Sequence, residues 1–347
     1  MTLEFIYGKY DLENNLVLQF ARRYESAFSL FSSSAVLQNC RITRPEPADF
    51  SLYLHAHTSA YVEKLMRVQQ SCSDMEGIPF KAVEFERIGV GGTLKAAELA
   101  LERNCVSYHL GGGYHHGMPD RHESVDYCND VAILIGYLLH NGYTKILYVD
   151  VDVHHPNGVQ RIFGSDKRVL QLSLHGWGIY PREGFYGDTG TGEGKGFKIN
   201  LPIPPQTGDE VYVRLFELLL RPLWKNFCPQ VVVYQAGLDP HRTDPIGNLN
   251  LSLRGLYRRD RLIGDLRKDG DIPLVAVLGG GYAEEIVAKG VVNTIAALTG
   301  QAIVFPENPS IGAPTKKKAF SWCAKLLNCV GPYHNLLNGV SVEGLYD

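Results

Sequence analysis

Short, almost unbroken apolar runs alternate along this chain with longer stretches whose apolar residues recur at helical spacing. The runs are Leu3–Tyr7, Cys105–His109, the stretch entered at Lys145, Arg168–Leu174, Ile199–Ile203, Gln230–Ala236 and Pro273–Leu278. A continuous apolar run reads as a strand buried on both faces. His57–Leu65, Thr93–Arg103, Tyr127–His140, Asp209–Phe227, Leu251–Leu266 and a segment from Glu284 read as helices. The second of these is entered through Gly91-Gly92. The stretch after Tyr7 reads as polar and leads to a loop at Arg44–Pro47. Ser71–Pro79 and the Gly-rich Trp177–Gly196 also read as loops. Strand and helix alternate from about Gly92 to Gly300, which predicts an α/β fold with a mainly parallel sheet covered on both faces. No linker or break in composition interrupts the pattern. The expectation is one domain, residues 1–310, with 311–347 as a peripheral helical segment of it.

The stretch Lys145–His155 stands out. It begins apolar and ends in carboxylates and imidazoles. With a side-chain period of two, Asp150, Asp152 and His154 share one face, and Val149, Val151 and Val153 the other. Three polar groups in line at a buried strand end are unfavourable unless something binds them. Asp oxygen and His nitrogen are both good ligands for a divalent metal. A metal-free hydrogen-bonded network is the other reading of this stretch alone.

Composition narrows the classes. The 347 residues are 45% hydrophobic and 20% charged, which suits a soluble globular chain. The formal net charge of −3 argues against direct nucleic-acid binding. The basic run Lys316–Lys318 reads as a solvated loop. Met1–Phe5 lacks the pattern of a signal peptide, and no stretch is apolar enough to span a membrane. The seven cysteines are odd in number and lack Cys-x-x-Cys spacing. They read as reduced thiols, with a cytoplasmic location expected. The loop Leu110–Gly117 carries three glycines before His115 and His116, an arrangement that suits close approach of a ligand rather than core packing. The glycine runs match neither a Walker loop nor a dinucleotide fingerprint. Polar loops follow His109, Asp150, Leu174, Ala236 and Leu278. Loops at the carboxyl ends of parallel strands should converge on one site.

Four motifs then appear in order: Leu110–His116, Tyr148–His155, Gln235–Asp239 and Leu278–Tyr282. In sequence and spacing the chain resembles the zinc-dependent histone deacetylase superfamily, especially its compact bacterial members, among them acetylpolyamine amidohydrolases and acetoin-utilisation-type proteins. The resemblance covers roughly His57 to Gly300. It implies the arginase/deacetylase fold, a parallel eight-stranded sheet flanked by helices. It implies zinc, one per chain, on Asp152, His154 and Asp239, with ferrous iron as the other metal these ligands accept. It implies His116 as general base, His115 as its electrostatic partner, Asp150 orienting His115, Asn157 orienting His116, and Tyr282 holding the carbonyl oxygen. Asp150 and Ser173 match a structural potassium site. Gly113, Val125, Tyr180 and Gly280 match positions that line the substrate tunnel.

The implied reaction is hydrolysis of an N-acyl amine, with N6-acyl-lysine in proteins or peptides as substrate. Acetylated polyamines or other small acyl-amines are the alternative. The chain departs from the family where the usual Gly-Phe-Cys becomes Ser124-Val125-Asp126 and where Tyr180 replaces a Phe. A wider tunnel and bulkier acyl groups are expected from Val125. Trp177 is expected beside Tyr180 as a lining residue, and the loop with Asp74 and Glu76 near the substrate backbone. His55, His57 and His109 read as structural, His155 as packed, and His175 and His241 as supporting the site. A two-manganese ureohydrolase would need an Asp-x-His-x-Asp pattern, and the chain reads Asp152-Val-His154-His155-Pro156. A non-catalytic acyl-lysine binder would not need His116 and Tyr282. The oligomeric state is left open by the sequence.

Overall fold

The computed structural model describes residues 3–7, 15–312 and 315–343, the side chains of 15–21, 37 and 39 excepted. The first half runs β1 (Leu3–Ile6), α1 (Asn15–Ser32), β2 (Cys40–Thr43), α2 (Ser59–Ser71), α3 (Phe80–Arg103), β3 (Val106–His109), α4 (Asp130–His140) and β4 (Ile146–Asp150). The second half runs α5 (Asn157–Phe163), β5 (Val169–Gly176), β6 (Lys198–Ile203), α6 (Asp209–Phe227), β7 (Val231–Gln235), α7 (Leu253–Gly270), β8 (Leu274–Val277), α8 (Glu284–Leu298) and α9 (Lys316–Val330). The strands form one eight-stranded sheet in the order β2-β1-β3-β8-β7-β4-β5-β6. Every ladder is parallel. This is the single α/β sheet that the resemblance implies.

The continuous apolar runs are explained by two cores, one on each face. Along β4, Ile146 and Tyr148 join the core that packs α3 and α4, while Leu147 and Val149 join the core under α6, α7 and α8. β7 and β8 alternate in the same way, Val231, Val233, Val275 and Val277 against Val232, Tyr234, Leu274 and Ala276. Every second residue is buried on opposite sides, so no position is left for water. Among the described residues no helix is long and apolar enough to cross a membrane.

Several expectations are corrected. α3 does not start after Gly91-Gly92 but runs through them from Phe80. The glycines serve close packing: a Cβ on Gly92 would come 2.3 Å from His109 Nε2, and one on Gly91 1.8 Å from the Glu46 carbonyl. Strand–helix alternation also begins earlier than Gly92, since β1 and β2 extend the sheet edge. Residues 8–14 lie outside the described residues. Beyond them, the stretch expected to be polar is the helix α1, which buries Tyr24, Ala27 and Phe31 and packs against α8. Its buried Arg23 interrupts the apolar stripe that would have marked it. β4 ends at Asp150, so Asp152 and His154 stand on the following loop and not on the strand. Of the expected C-terminal segment, residues 313–314 and 344–347 lie outside the described residues. Its helix α9 buries Ala319, Phe320, Cys323, Leu326 and Val330, and its Trp322 packs edge-on against Trp177, 5.4 Å between ring centroids.

His57 ties the start of α2 to the loop that precedes α4. Its Nδ1–H donates to the Met118 carbonyl (2.9 Å), and its Nε2 accepts the Asn129 N–H (3.0 Å). With both nitrogens so used the ring is neutral, and burial pushes its pKa from 6.5 down to about 4. As pH falls below 6.5 the unfolded chain takes a proton here that the folded chain refuses until about pH 4. Its contribution to stability is therefore full above pH 6.5 and lost between 6.5 and 4. At about 1.4 kcal/mol per pH unit, this one site contributes up to roughly 3 kcal/mol. Urea unfolding of the wild type and His57→Gln at both ends of that window should show a smaller acid-induced loss in the variant. Equal losses would contradict a neutral buried His57.

Candidate active site

The carboxyl ends of β3, β4, β7 and β8 meet at one place. After Asp150 the chain turns through two successive side-chain hydrogen bonds. Asp150 Oδ1 accepts the Asp152 N–H (3.0 Å) and Asp152 Oδ1 accepts the His154 N–H (2.9 Å). Short carboxylates that bond the backbone two residues on favour turns over strands. The alternation nonetheless outlasts the strand: Val151 and Val153 remain in the core while Asp152 and His154 face the site. β7 delivers Asp239, whose Oδ1 accepts the Val153 N–H (2.9 Å). β8 delivers Gly280, whose N–H donates to Asp152 Oδ2 (2.7 Å).

Asp152, His154 and Asp239 offer ligand atoms within 4.8 Å of one another, all buried. His154 Nδ1 lies 3.0 Å from Asp152 Oδ1 and 3.1 Å from Asp239 Oδ2. Burial disfavours the imidazolium, but the two carboxylates outweigh it and raise His154 to about 10. The cluster therefore draws positive charge to the point where its three side chains meet. A Cβ on Gly280 would fall 2.1 Å from Asp239 Oδ2 and 2.6 Å from Asp152 Oδ2, so only a bare backbone fits beside both. Two carboxylates, an imidazole and one side left free of side chain suit a catalytic metal, which needs three protein ligands and an open position.

His115 and His116 stand beside this cluster as a pair. His115 Nδ1 donates to Asp150 Oδ2 (2.8 Å) and His116 Nδ1 donates to Asn157 Oδ1 (2.7 Å). Their Nε2 atoms then face each other across 3.1 Å. Both nitrogens cannot carry a hydrogen in that contact, so one proton serves the pair. Burial lowers His115, but Asp150 and Asp152 outweigh it and bring it up to about 9. Burial and the charge on His115 hold His116 well below the usual range. The proton thus resides on His115, and His116 presents a lone pair. Asp150 also accepts the Tyr148 hydroxyl. The preceding loop is fixed by Asp130, which accepts the Gly113 and Tyr114 N–H groups and the Thr93 hydroxyl. Sequence reasoning missed Asp130 because it also opens α4, where an acidic residue is ordinary.

Asp152, His154, His115 and His116 line a cavity of about 350 Å³. Gly113, Val125, Tyr180, Gly280 and Tyr282 line it as well. Val125 and Tyr180 form its outer edge, 41% and 39% exposed. The Tyr180 ring meets His116 edge-on at 4.9 Å, and its hydroxyl donates to Glu123 (3.2 Å). Burial raises the Tyr282 phenol well above its usual range, which keeps it an O–H donor. Ser173 pairs with Asp150 across the β4–β5 ladder and bonds His175 (2.9 Å). His155 is packed and bonded to Gln160, and His241 bonds Thr243 and Glu307. Trp177 does not line this cavity but a smaller hollow behind Tyr180. Asp74 and Glu76 are not among its lining residues; they bond the Phe80 N–H and pair with Lys64 and Arg67. The structure adds Arg23, Tyr24, Phe85, Glu86, Asp126 and Ile246 to the lining.

Arg259 of α7 fixes the two loops that carry the carboxylates. Its Nη1 donates to the Gly237 carbonyl (2.9 Å) and the Val151 carbonyl (3.3 Å). Its Nε donates to Asp260 (2.8 Å), which also accepts from Tyr234 and Thr294. Arg259 and Asp260 are both fully buried. Removing one partner leaves an uncompensated buried charge, so Arg259→Met should cost about 3–5 kcal/mol of unfolding free energy. Denaturant unfolding measures it, and a loss under about 1 kcal/mol, the range of an exposed pair, would contradict this role.

Comparison with known proteins adds independent findings. The histone deacetylase domain family matches residues 18–298. A probable deacetylase of Archaeoglobus fulgidus is 33% identical over 303 residues, 83% of this chain and 84% of that protein. Histone deacetylase 8 of Xenopus tropicalis is 28% identical over 291 residues, 78% of this chain and 76% of that protein. The acetoin utilization protein AcuC of Staphylococcus aureus is 34% identical over 199 residues, 56% of this chain and 51% of that protein.

Proposed function

The chain belongs to the histone deacetylase family, and from that premise we propose a zinc-dependent amidohydrolase that removes the acyl group of N6-acyl-lysine. The observation that carries the reading is a cavity lined by Asp152 and His154 of the three-residue cluster, by the His115–His116 pair and by Tyr282. Asp152, His154 and Asp239 would hold the zinc ion, which when bound polarises the acyl carbonyl and acidifies water.

The protein's own groups do the rest. Asn157 anchors His116 by its Nδ1–H, which keeps Nε2 the unprotonated nitrogen, the one that takes the proton of the attacking water. His115, held by Asp150, stays positive beside it and favours the negative charge that develops. The Tyr282 hydroxyl donates to the carbonyl oxygen as that oxygen gains charge. The water oxygen bonds to the carbonyl carbon and the C–N bond then breaks. The proton on His116 passes to the leaving nitrogen, giving a carboxylate and a free amine. Asp150 and Ser173 are proposed to hold a structural potassium ion. Small acylated polyamines are the second reading. Glu123 at the outer edge favours it, a partly exposed carboxylate that a cationic substrate would meet, although Arg121 stands 3.5 Å from it.

An acetyl-lysine peptide and N-acetylputrescine assayed side by side separate the two substrates, and the reading requires turnover of the peptide. Tyr282→Phe should lower kcat by about 100- to 1000-fold with zinc content unchanged by elemental mass spectrometry. Asp239→Asn should lose the zinc itself. Two manganese ions per chain, or an undiminished kcat in Tyr282→Phe, would overturn the reading.

A further inference from the structure

The cavity has an outer and an inner part. Val125, Tyr180 and Ile246 are partly exposed at its edge, whereas Tyr24, Phe85, Glu86, Tyr114 and Asp126 are buried. In the proposed reaction the lysine enters past the edge and the carbonyl is held between the metal cluster and Tyr282. The acyl group therefore extends inward.

Asp126 is only 7% exposed yet lines the cavity. The tight turn Glu123–Asp126, closed by two backbone hydrogen bonds of 3.1 Å, turns it inward while its neighbour Val125 stays at the edge. One oxygen, Oδ2, accepts the His116 N–H (2.9 Å). Its other oxygen, Oδ1, has no hydrogen-bond partner among the described residues. Glu86 is engaged by the Tyr127 and Cys128 N–H groups, so Asp126 is the carboxylate left to meet a ligand. A carboxylate oxygen with no protein donor, on a residue that lines the cavity, is open to a donor carried by the ligand.

We propose that Asp126 selects acyl groups that carry a hydrogen-bond donor near the carbonyl, a hydroxyl or an ammonium, over apolar acyl groups of the same size. The inference rests on the acyl-lysine reading and names the acyl class within it.

The test compares zinc-loaded wild type and Asp126→Asn on one lysine peptide bearing butyryl, 3-hydroxybutyryl or 3-aminobutyryl groups. For wild type, kcat/KM should favour a donor-bearing group over butyryl by at least about tenfold. The two donor groups separate hydroxyl from ammonium recognition. In Asp126→Asn, whose amide oxygen can still accept the His116 N–H, that ratio should collapse. A role confined to positioning His116 would lower all three substrates together and leave the ratio unchanged, which would overturn the proposal. Calorimetric binding of the same peptides to Tyr282→Phe should show the same preference without turnover. Butyryl cleaved as well as the donor-bearing groups, and bound as well, would sink this inference alone. No cleavage of any peptide, the acetyl one included, would sink the reading beneath it.

Discussion

Two buried carboxylates share one imidazole at the end of a sheet with no exposed face, and the rest of the structure holds that arrangement in place. Asp152 and Asp239 come from adjacent strands whose loops would separate if left to repel. Backbone N–H groups from Val153 and Gly280 engage them from two sides. Arg259 binds the Val151 carbonyl, one residue before Asp152, and the Gly237 carbonyl, two before Asp239, and is itself neutralised by Asp260. Such an arrangement is unstable as a bare cluster and stable as a receptor for a cation. The parallel sheet matters because it brings the carboxyl ends of β3, β8, β7 and β4 side by side. The catalytic candidates are thus neighbours in space though they span His115 to Tyr282.

The histidine pair is the second consequence of that burial. Each ring gives its Nδ1–H to a different acceptor, a carboxylate for His115 and a neutral amide for His116. That asymmetry, set by Asp150 against Asn157, assigns the shared proton to His115. Two chemically identical side chains acquire opposite roles from their partners.

Much of this was legible in the sequence. The parallel sheet followed from apolar runs that left no solvent face, and Asp152 and His154 from polar residues where such a run ended, whereas Asp239 came only with the family resemblance. Other parts were hidden for physical reasons. α1 was invisible because buried Arg23 stands within its apolar stripe. The start of α3 was misplaced because Gly91 and Gly92, usually helix breakers, are required there by the Glu46 carbonyl and His109. The end of β4 was misjudged because Asp150 and Asp152 turn their own backbone, which no periodicity reveals. Trp177 is aromatic and near the site, but Trp322 of α9 holds it on the far side of Tyr180. Asp126 stands in the sequence only as a departure from the family pattern, because its burial beside His116 is set by the Glu123–Asp126 turn, which no periodicity reveals.

The most direct test of the account is a titration of zinc into chelator-stripped protein, followed by hydrolysis of an acetyl-lysine peptide. Activity should rise linearly and break at one zinc per chain, because one cluster of three ligands serves one cation. Full activity before any metal is added, a break at two equivalents, or no hydrolysis at any zinc level would contradict it.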